Sequence, residues 1–312
     1  MNIDPNQRKI LLAVDGSDRA LNMVRYIAKV EPFHRMHVVL FHVFSSVPES
    51  YWDLEKNPIG SQTVRKIRSW EIQQEKYIRQ FMQQIYQFLV KTGFPSNSIE
   101  IRIQKRNEGI ARDIIQEARN GYEALVVRRR GSAGLRGLIL GGVAAKLLEK
   151  LAFIPMMMIG NKPPGDKLLL AFDGSDNAMR AVDFVGSLLR GHNYKVRLLH
   201  VIRGKENKRR IQQTNYAPKE HTQATKKAIG HAIEKAEAKL IESGFKAHHV
   251  SYRIITGAFS RAGAITQEAR QGGYGTIVLG RRGLSRLQEF FIGRVTNKVI
   301  HLARDRSVWV VR

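Results

Sequence analysis

The segment KILLAVDGSDRALNMVRYIA, residues 9–28, decides the fold class of this chain. Its apolar run ILLAV predicts a short buried strand. The residues after it place apolar side chains at three- and four-residue intervals, which is typical of an amphipathic helix, with Ser17 as the expected cap. A buried strand that runs directly into such a helix predicts an α/β protein with a parallel sheet covered by helices on both faces.

The same segment occurs again as KLLLAFDGSDNAMRAVDFVG, residues 167–186. Three further pairs keep the same order along the chain: VLFHVF with RLLHVI, EALVVRRRG with GTIVLGRRG, and GGVAAKLLEKL with GRVTNKVIHLA. The sequence therefore predicts two copies of one domain, residues 1–162 and 163–312, joined near GNKPPGD. We call them the first and the second repeat. Each is expected to hold a five-stranded parallel sheet.

Composition limits the classes of function. The chain carries a net charge of +25, and both repeats are basic, so an anionic partner is expected, whether nucleotide, nucleic acid or another polyanion. The absence of cysteine excludes disulfides and thiolate metal sites. The histidines form no metal-ligand motif, so no metal site is predicted. Because the start shows no signal-peptide pattern and the longest apolar run is too short for a membrane span, a cytoplasmic location is expected.

Ligands of open parallel α/β sheets bind beyond the carboxyl ends of the strands. Asp15 and Asp173 end the first strand of each repeat, within DGSD. Each carboxylate has two interpretations: it caps the following helix, or it accepts hydrogen bonds from a ligand, and one residue can do both. His42 and His200 end the second strands, where we expect them to pack rather than to catalyse.

A glycine pattern follows the fourth strand of the second repeat. Gly280 and Gly283 are separated by two residues, and Gly293 begins the last helix nine residues later. Backbone N–H groups at glycines before a helix N-terminus form an anion site, although glycines are also common in ordinary turns. In the first repeat Arg128 takes the place of the first glycine. Arg294 follows Gly293, and its side chain either points to solvent or enters the pocket.

Other features favour plainer interpretations. Tyr51 and Trp52 are interpreted as loop anchors rather than as a lid over a base. The basic segment GKENKRR, residues 204–210, is interpreted as a solvated loop. No convincing Ser-His-Asp order and no pair of carboxylates for a metal is present, so no catalytic residue is assigned.

Over essentially its whole length, the chain resembles a tandem member of the universal stress protein family. The resemblance rests on the aspartate after strand one, the LHV-type second strand and the glycine loop after strand four. It implies a Rossmann-like fold of the adenine nucleotide alpha hydrolase type, and ATP, with Mg²⁺ beside it, as the cofactor. In the second repeat it implies nucleotide contacts at Asp173, Val201, Leu279, Gly280, Gly283, Gly293, Arg294 and Val295. The corresponding positions of the first repeat are Asp15, Val43, Gly131, Gly141, Gly142 and Val143.

The departures from the family pattern make the two repeats unequal. The second repeat keeps all three glycines but has Arg294 where the family has a serine or threonine. The first repeat has Arg128 for the first glycine and Gly142 for the hydroxyl residue, so it is expected to be the poorer nucleotide site. The family also pairs domains through the last strand. PMMMIG and SVWVVR are therefore expected to meet inside one chain as an internal pseudo-dimer, with a homodimer of chains left open.

These observations favour a non-catalytic stress protein that binds ATP or another adenine nucleotide in its second repeat. An adaptor that does not bind ATP and uses its basic surface to bind nucleic acid or another polyanion is the alternative. A slow ATPase is a third interpretation, which no predicted base or metal site supports.

Overall fold

The computed structural model describes residues 8–45, 58–129, 140–204, 218–282, 292–303 and 305–312, and it has the predicted α/β fold. The strands are β1 (Lys9–Ala13), β2 (His37–Phe44), β3 (Ile99–Lys105), β4 (Ala124–Arg128), β5 (Met156–Ile159), β6 (Lys167–Ala171), β7 (Lys195–Arg203), β8 (Val250–Ala258), β9 (Thr276–Gly280) and β10 (Ser307–Val311). The helices are α1 (Ala20–Ala28), α2 (Pro58–Lys91), α3 (Ile110–Glu117), α4 (Gly142–Lys150), α5 (Asp176–Leu189), α6 (Pro218–Glu242), α7 (Arg261–Gln271) and α8 (Arg294–Leu302).

The chain forms two compact units, one of residues 1–128 with 142–147 and the other of residues 129–141 with 148–312. In the first unit, four parallel strands are arranged in the order β3-β2-β1-β4. All eight residues of β2 are buried. A strand that is apolar on both faces needs cover on both faces, which is why the sequence reads as a continuous apolar run.

The second unit holds six strands in the order β5-β10-β9-β6-β7-β8. All neighbours pair in parallel except β5 and β10, which are antiparallel, with Trp309 opposite Met157. The predicted pairing of the two final strands is therefore present. The indole of Trp309 is 1% exposed and packs edge-on against Phe184. Because of this pairing, the last strand of the first repeat belongs to the second compact unit.

Two arginines are buried inside the second unit, each directly after a strand. Arg281 is 4% exposed and donates from Nη1 to Leu151 O over 2.8 Å and from Nη2 to Glu149 O over 2.6 Å, at the end of α4. Arg129 is 2% exposed and donates to Ile300 O in the last turn of α8 and to Arg306 O just before β10. The last carbonyls of a helix have no partner within it, so each guanidinium satisfies a helix C-terminus and complements its dipole.

Within the described ranges, no helix has a stretch that is both long enough and apolar enough to span a bilayer.

Candidate functional site

A cleft with a volume of about 600 Å³ opens at the carboxyl ends of β6, β7 and β9. The central strand β6 has β7 on one side and β9 on the other. The connections that follow β6 and β9 therefore lead away from each other at this edge of the sheet. Such a divergence creates a crevice above the sheet in open α/β folds. The residues that line it are Ala171, Phe172, Asp173, Ala178, Leu199, His200, Val201, Arg261, Ile265, Leu279, Gly280, Arg282, Gly293, Arg294, Val295 and Thr296.

The residues predicted for the second repeat come together in this cleft. Every one of them that the structure describes lines it: Asp173, Val201, Leu279, Gly280, Gly293, Arg294 and Val295. Gly283 lies outside the described residues. The positions that the family resemblance implied are thus close in space, although they are spread over more than a hundred residues of chain.

Asp173 is held in one orientation by the serine that follows it. Ser175 donates to Oδ1 of Asp173 from its backbone N over 3.1 Å and from its Oγ over 2.6 Å. The same Oγ accepts from Ala178 N, so the cap of α5 is Ser175 and not the aspartate. Both of these hydrogen bonds end on Oδ1, which leaves Oδ2 of Asp173 to accept a donor from a ligand.

The N-terminus of α8 also lines the cleft. Gly293 is the residue before the helix, and its backbone N donates to Arg281 O over 2.9 Å. Thr296 is buried and donates from Oγ1 to Gly280 O over 2.9 Å, which joins the start of α8 to the end of β9. The first backbone amides of a helix have no intrahelical acceptor, so the amides of Arg294 and Val295 are donors for an anion.

Three arginines from three different elements line the cleft. Arg261 begins α7 and donates from Nε to Val201 O over 3.2 Å, Arg282 follows β9, and Arg294 begins α8. Arg294 combines both predicted alternatives, because it lines the cleft while its side chain is exposed. Among the described lining residues, Asp173 is the only carboxylate. The cleft therefore carries a net positive charge.

The two strand-end histidines have the same geometry in both repeats. Nδ1 of His42 lies 2.8 Å from Val14 O, and Nδ1 of His200 lies 2.9 Å from Phe172 O. Burial lowers the pKa of each imidazole below its usual value, against the opposing effects of the hydrogen bond and of the nearby aspartate. At neutral pH we therefore expect each ring to be neutral and to donate from Nδ1. The predicted packing role fits both, and His200 also lines the cleft.

These histidines predict how stability depends on pH. Because the folded-state pKa is lowered, the unfolded chain binds more protons than the folded chain once the pH falls below about 6.5. Each histidine should then cost up to about 1.4 kcal/mol of stability per pH unit until its folded pKa is reached. Urea unfolding should show that the wild type loses free energy of unfolding between pH 7.5 and pH 5.5. This loss should be smaller in the His42→Gln/His200→Gln double variant. The control is His231→Gln, at an exposed histidine, which should lose as much stability as the wild type. An identical loss in the wild type, the double variant and the control would contradict the lowered pKa of His42 and His200.

Gly280 makes room for the helix that follows β6. A Cβ built at Gly280 would lie 2.8 Å from Asn177 C and 3.0 Å from Ala178 N, both in the first turn of α5. The first repeat has Arg128 at this position. There α1 begins at Ala20, which matches Ala178, whereas α5 begins two residues earlier, at Asp176. The predicted cap at Ser17 is therefore wrong: the residue before α1 is Arg19, and no side chain caps this helix.

The matching positions of the first repeat have a different environment. Nη1 of Arg128 lies 3.8 Å from Oδ2 of Asp15, and the arginine side chain is 9% exposed. The guanidinium thus lies beside the carboxylate that is matched to Asp173. Val43 is buried near the end of β2, Gly141 precedes α4, Gly142 begins it, and Val143 is 36% exposed.

Some predicted positions cannot be placed, and some lining residues were missed. Gly131, Tyr51, Trp52 and most of GKENKRR lie outside the described residues. Arg261 and Thr296 were not predicted, because neither belongs to a glycine pattern or a strand end. The available signal was their position: each lies at or within three residues of a predicted helix start that faces the carboxyl edge of the sheet. Within the described part of the chain, no three His, Asp or Glu side chains form a metal-binding group.

Comparisons with known proteins agree on one family. The model of the Universal stress protein family matches residues 6–159 and again residues 165–312. Universal stress protein YxiE of Bacillus subtilis strain 168 is 30% identical over 145 residues, which cover 44% of this chain and 93% of that protein. A universal stress protein from Archaeoglobus fulgidus DSM 4304 has a similar fold, with a TM-score of 0.58, 16% identity, and coverage of 98% of this chain and 99% of that one. A functionally unknown protein, PA1789 from Pseudomonas aeruginosa PAO1, has a TM-score of 0.57 and 16% identity, and covers 98% of this chain and 92% of that one.

Proposed function

Since this chain belongs to the universal stress protein family, we propose that it is a non-catalytic, nucleotide-responsive stress protein whose second repeat binds ATP or another adenine nucleotide. The observation that carries this proposal is the convergence of the predicted residues on one cleft. Its volume of about 600 Å³ suits a ligand of this size. Its lining also combines apolar side chains with one described carboxylate, Asp173, and three arginines.

The two ends of the cleft fit the two ends of a nucleotide. Leu199, Val201 and Leu279 form an apolar surface beside Asp173, whose Oδ2 can accept from a ribose hydroxyl. The phosphates would lie at the N-terminus of α8, where backbone amides and arginines provide donors for anionic oxygens. In this arrangement, the nucleotide would span from the end of β6 to the start of α8.

The first repeat lacks the conditions that favour binding in the second. Asp15 lies beside the guanidinium of Arg128, a cation at the position where the second repeat has a glycine. A ligand hydroxyl would have to compete with that cation for the carboxylate. We therefore propose that the second repeat alone binds the nucleotide with useful affinity.

Replacing Asp173 by asparagine tests this proposal. We expect the variant to bind ATP about tenfold more weakly, because a hydrogen bond to a charged group contributes about 1.5 kcal/mol or more. The matched control is Asp15→Asn in the first repeat, which should leave the affinity unchanged. Isothermal titration with ATP, with and without Mg²⁺, measures both variants against the wild type.

Three outcomes of this titration would count against the proposal. No heat and no thermal shift at millimolar ATP would reject nucleotide binding altogether. A loss in Asp15→Asn equal to that in Asp173→Asn would reject the assignment to the second repeat. Binding of RNA or polyphosphate that is insensitive to Asp173→Asn and falls steeply with salt, without ATP binding, would favour the polyanion adaptor instead.

A further inference from the structure

The start of α8 holds a charge that the fold itself disfavours. Arg294 is the first residue of the helix, where the positive end of the helix dipole repels a cation. Within the described residues, its side chain makes no hydrogen bond or ion pair that would compensate. The helix dipole favours acidic residues in this first turn. A cation here is therefore explained better by something that binds in the cleft than by the stability of the helix.

Two more cations converge on the same cleft from other elements. Arg261 is anchored by its bond to Val201 O on β7, and Arg282 follows β9. Like charges repel, so bringing Arg261, Arg282 and Arg294 to one cavity has an electrostatic cost. Arginine is also the side chain whose planar donors match phosphate oxygens. Together, the three guanidinium groups could neutralise most of the charge of a triphosphate.

The same set of side chains does not fit a divalent cation held by the protein. Mg²⁺ prefers oxygen ligands and is held in proteins through one or two carboxylates. Among the described lining residues, the single carboxylate is Asp173, which lies at the end of β6 and accepts two hydrogen bonds from Ser175. The side chains at the phosphate end are cationic. The Mg²⁺ that the family resemblance implies thus disagrees with the donors that this chain supplies.

On the basis of the nucleotide binding proposed above, we propose that the second repeat binds its nucleotide as the metal-free phosphate anion, with Arg261, Arg282 and Arg294 supplying the positive charge in place of a divalent cation. Arg294 is then a specificity-determining residue. It replaces the hydroxyl of the family pattern, and it selects the more highly charged, uncomplexed form of the ligand.

The test compares ATP in EDTA with ATP in excess Mg²⁺ by isothermal titration at about 0.1 M salt, where exposed charges further apart than about 10 Å are screened. The wild type should bind ATP in EDTA at least as tightly as in Mg²⁺. Arg294→Ser, which restores the family residue, should weaken binding in EDTA about ten- to a hundredfold. This variant should also bind the Mg²⁺ complex of ATP more tightly than it binds metal-free ATP. Arg294→Lys should retain part of the metal-free affinity.

A matched control removes the same charge elsewhere. Arg25→Ser, on α1 of the first unit, should leave both affinities within about twofold, so that a loss in Arg294→Ser reports the cleft and not the net charge. Weaker binding by the wild type in EDTA than in Mg²⁺ overturns this inference but leaves nucleotide binding in place. Unchanged or tighter binding by Arg294→Ser in EDTA also overturns it, and would mean that Arg294 blocks the phosphate site. No binding in either buffer rejects the proposed function itself.

Discussion

Replacing Arg281 by methionine is expected to lower the free energy of unfolding of the second unit by about 3 kcal/mol. The guanidinium is 4% exposed and makes two short hydrogen bonds to the end of α4, at Glu149 and Leu151. Burial lowers the pKa of Arg281 to about 10, so the group stays charged at neutral pH and its bonds to the carbonyls are charge-assisted. Without them, the carbonyls of Glu149 and of the buried Leu151, at the end of α4, lose these donors. Differential scanning calorimetry should show a melting point lower by about 10 °C.

The matching arginine of the first repeat provides an internal comparison. Arg129→Met should destabilise by a similar amount, because Arg129 also donates to two carbonyls, Ile300 O in the last turn of α8 and Arg306 O beyond it. Arg25→Met, on the surface of α1, should change stability by no more than about 0.5 kcal/mol. A melting point of Arg281→Met equal to that of Arg25→Met would show that these buried hydrogen bonds contribute nothing.

Replacing Gly280 by alanine is expected to reduce nucleotide affinity at least tenfold and to lower stability by about 1–3 kcal/mol. The added Cβ would lie 2.8 Å from Asn177 C and 2.9 Å from Asn177 O, so the backbone at the start of α5 must move. That start carries Ser175, which orients Asp173. Gly280→Arg, which copies the residue of the first repeat, should abolish binding because its cation would lie beside Asp173. Titration with ATP and urea unfolding measure both effects.

Gly230→Ala is the matched control for the added methyl group. A Cβ at Gly230, in the interior of α6, meets no atom within 4 Å. Alanine is also the better helix former there, so this variant should be more stable by up to about 1 kcal/mol and should bind ATP as the wild type does. Full ATP affinity in Gly280→Ala would mean that the close approach of β9 to α5 does not shape the site.

The sequence predicted the fold class because its signal is periodic and occurs twice. Short apolar runs such as those at Ile10 and Leu168 indicate buried strands, and the helical spacing after each of them favours a parallel sheet with helices on both faces. The order of the repeats then placed Asp173, Leu279 and Gly280 at the same edge of one sheet. These positions follow strand ends, and in a parallel sheet strand ends converge whatever the details of packing.

The local sequence pattern predicted helix caps less well, because capping also depends on how distant side chains pack. Ser17 and Ser175 occupy matching positions in DGSD, yet only Ser175 caps a helix. The residue at the end of the fourth strand, next to this turn, is Arg128 in the first repeat and Gly280 in the second. The contacting strand is more than a hundred residues away in the sequence, so the residues around each serine could not predict this contact.

What the sequence by itself determined is therefore the two-repeat organisation, the α/β fold and the strand ends beside which the cleft lies. Only the tertiary structure decided which charges meet. It brings Arg261 and Arg294 to one cleft with Asp173, and it buries Arg129 and Arg281 against helix ends instead of leaving them in a solvated turn. The physical reason is that hydrophobic periodicity is carried by neighbouring residues along the chain. The environment of a guanidinium group depends instead on carbonyls and carboxylates that distant segments bring to it.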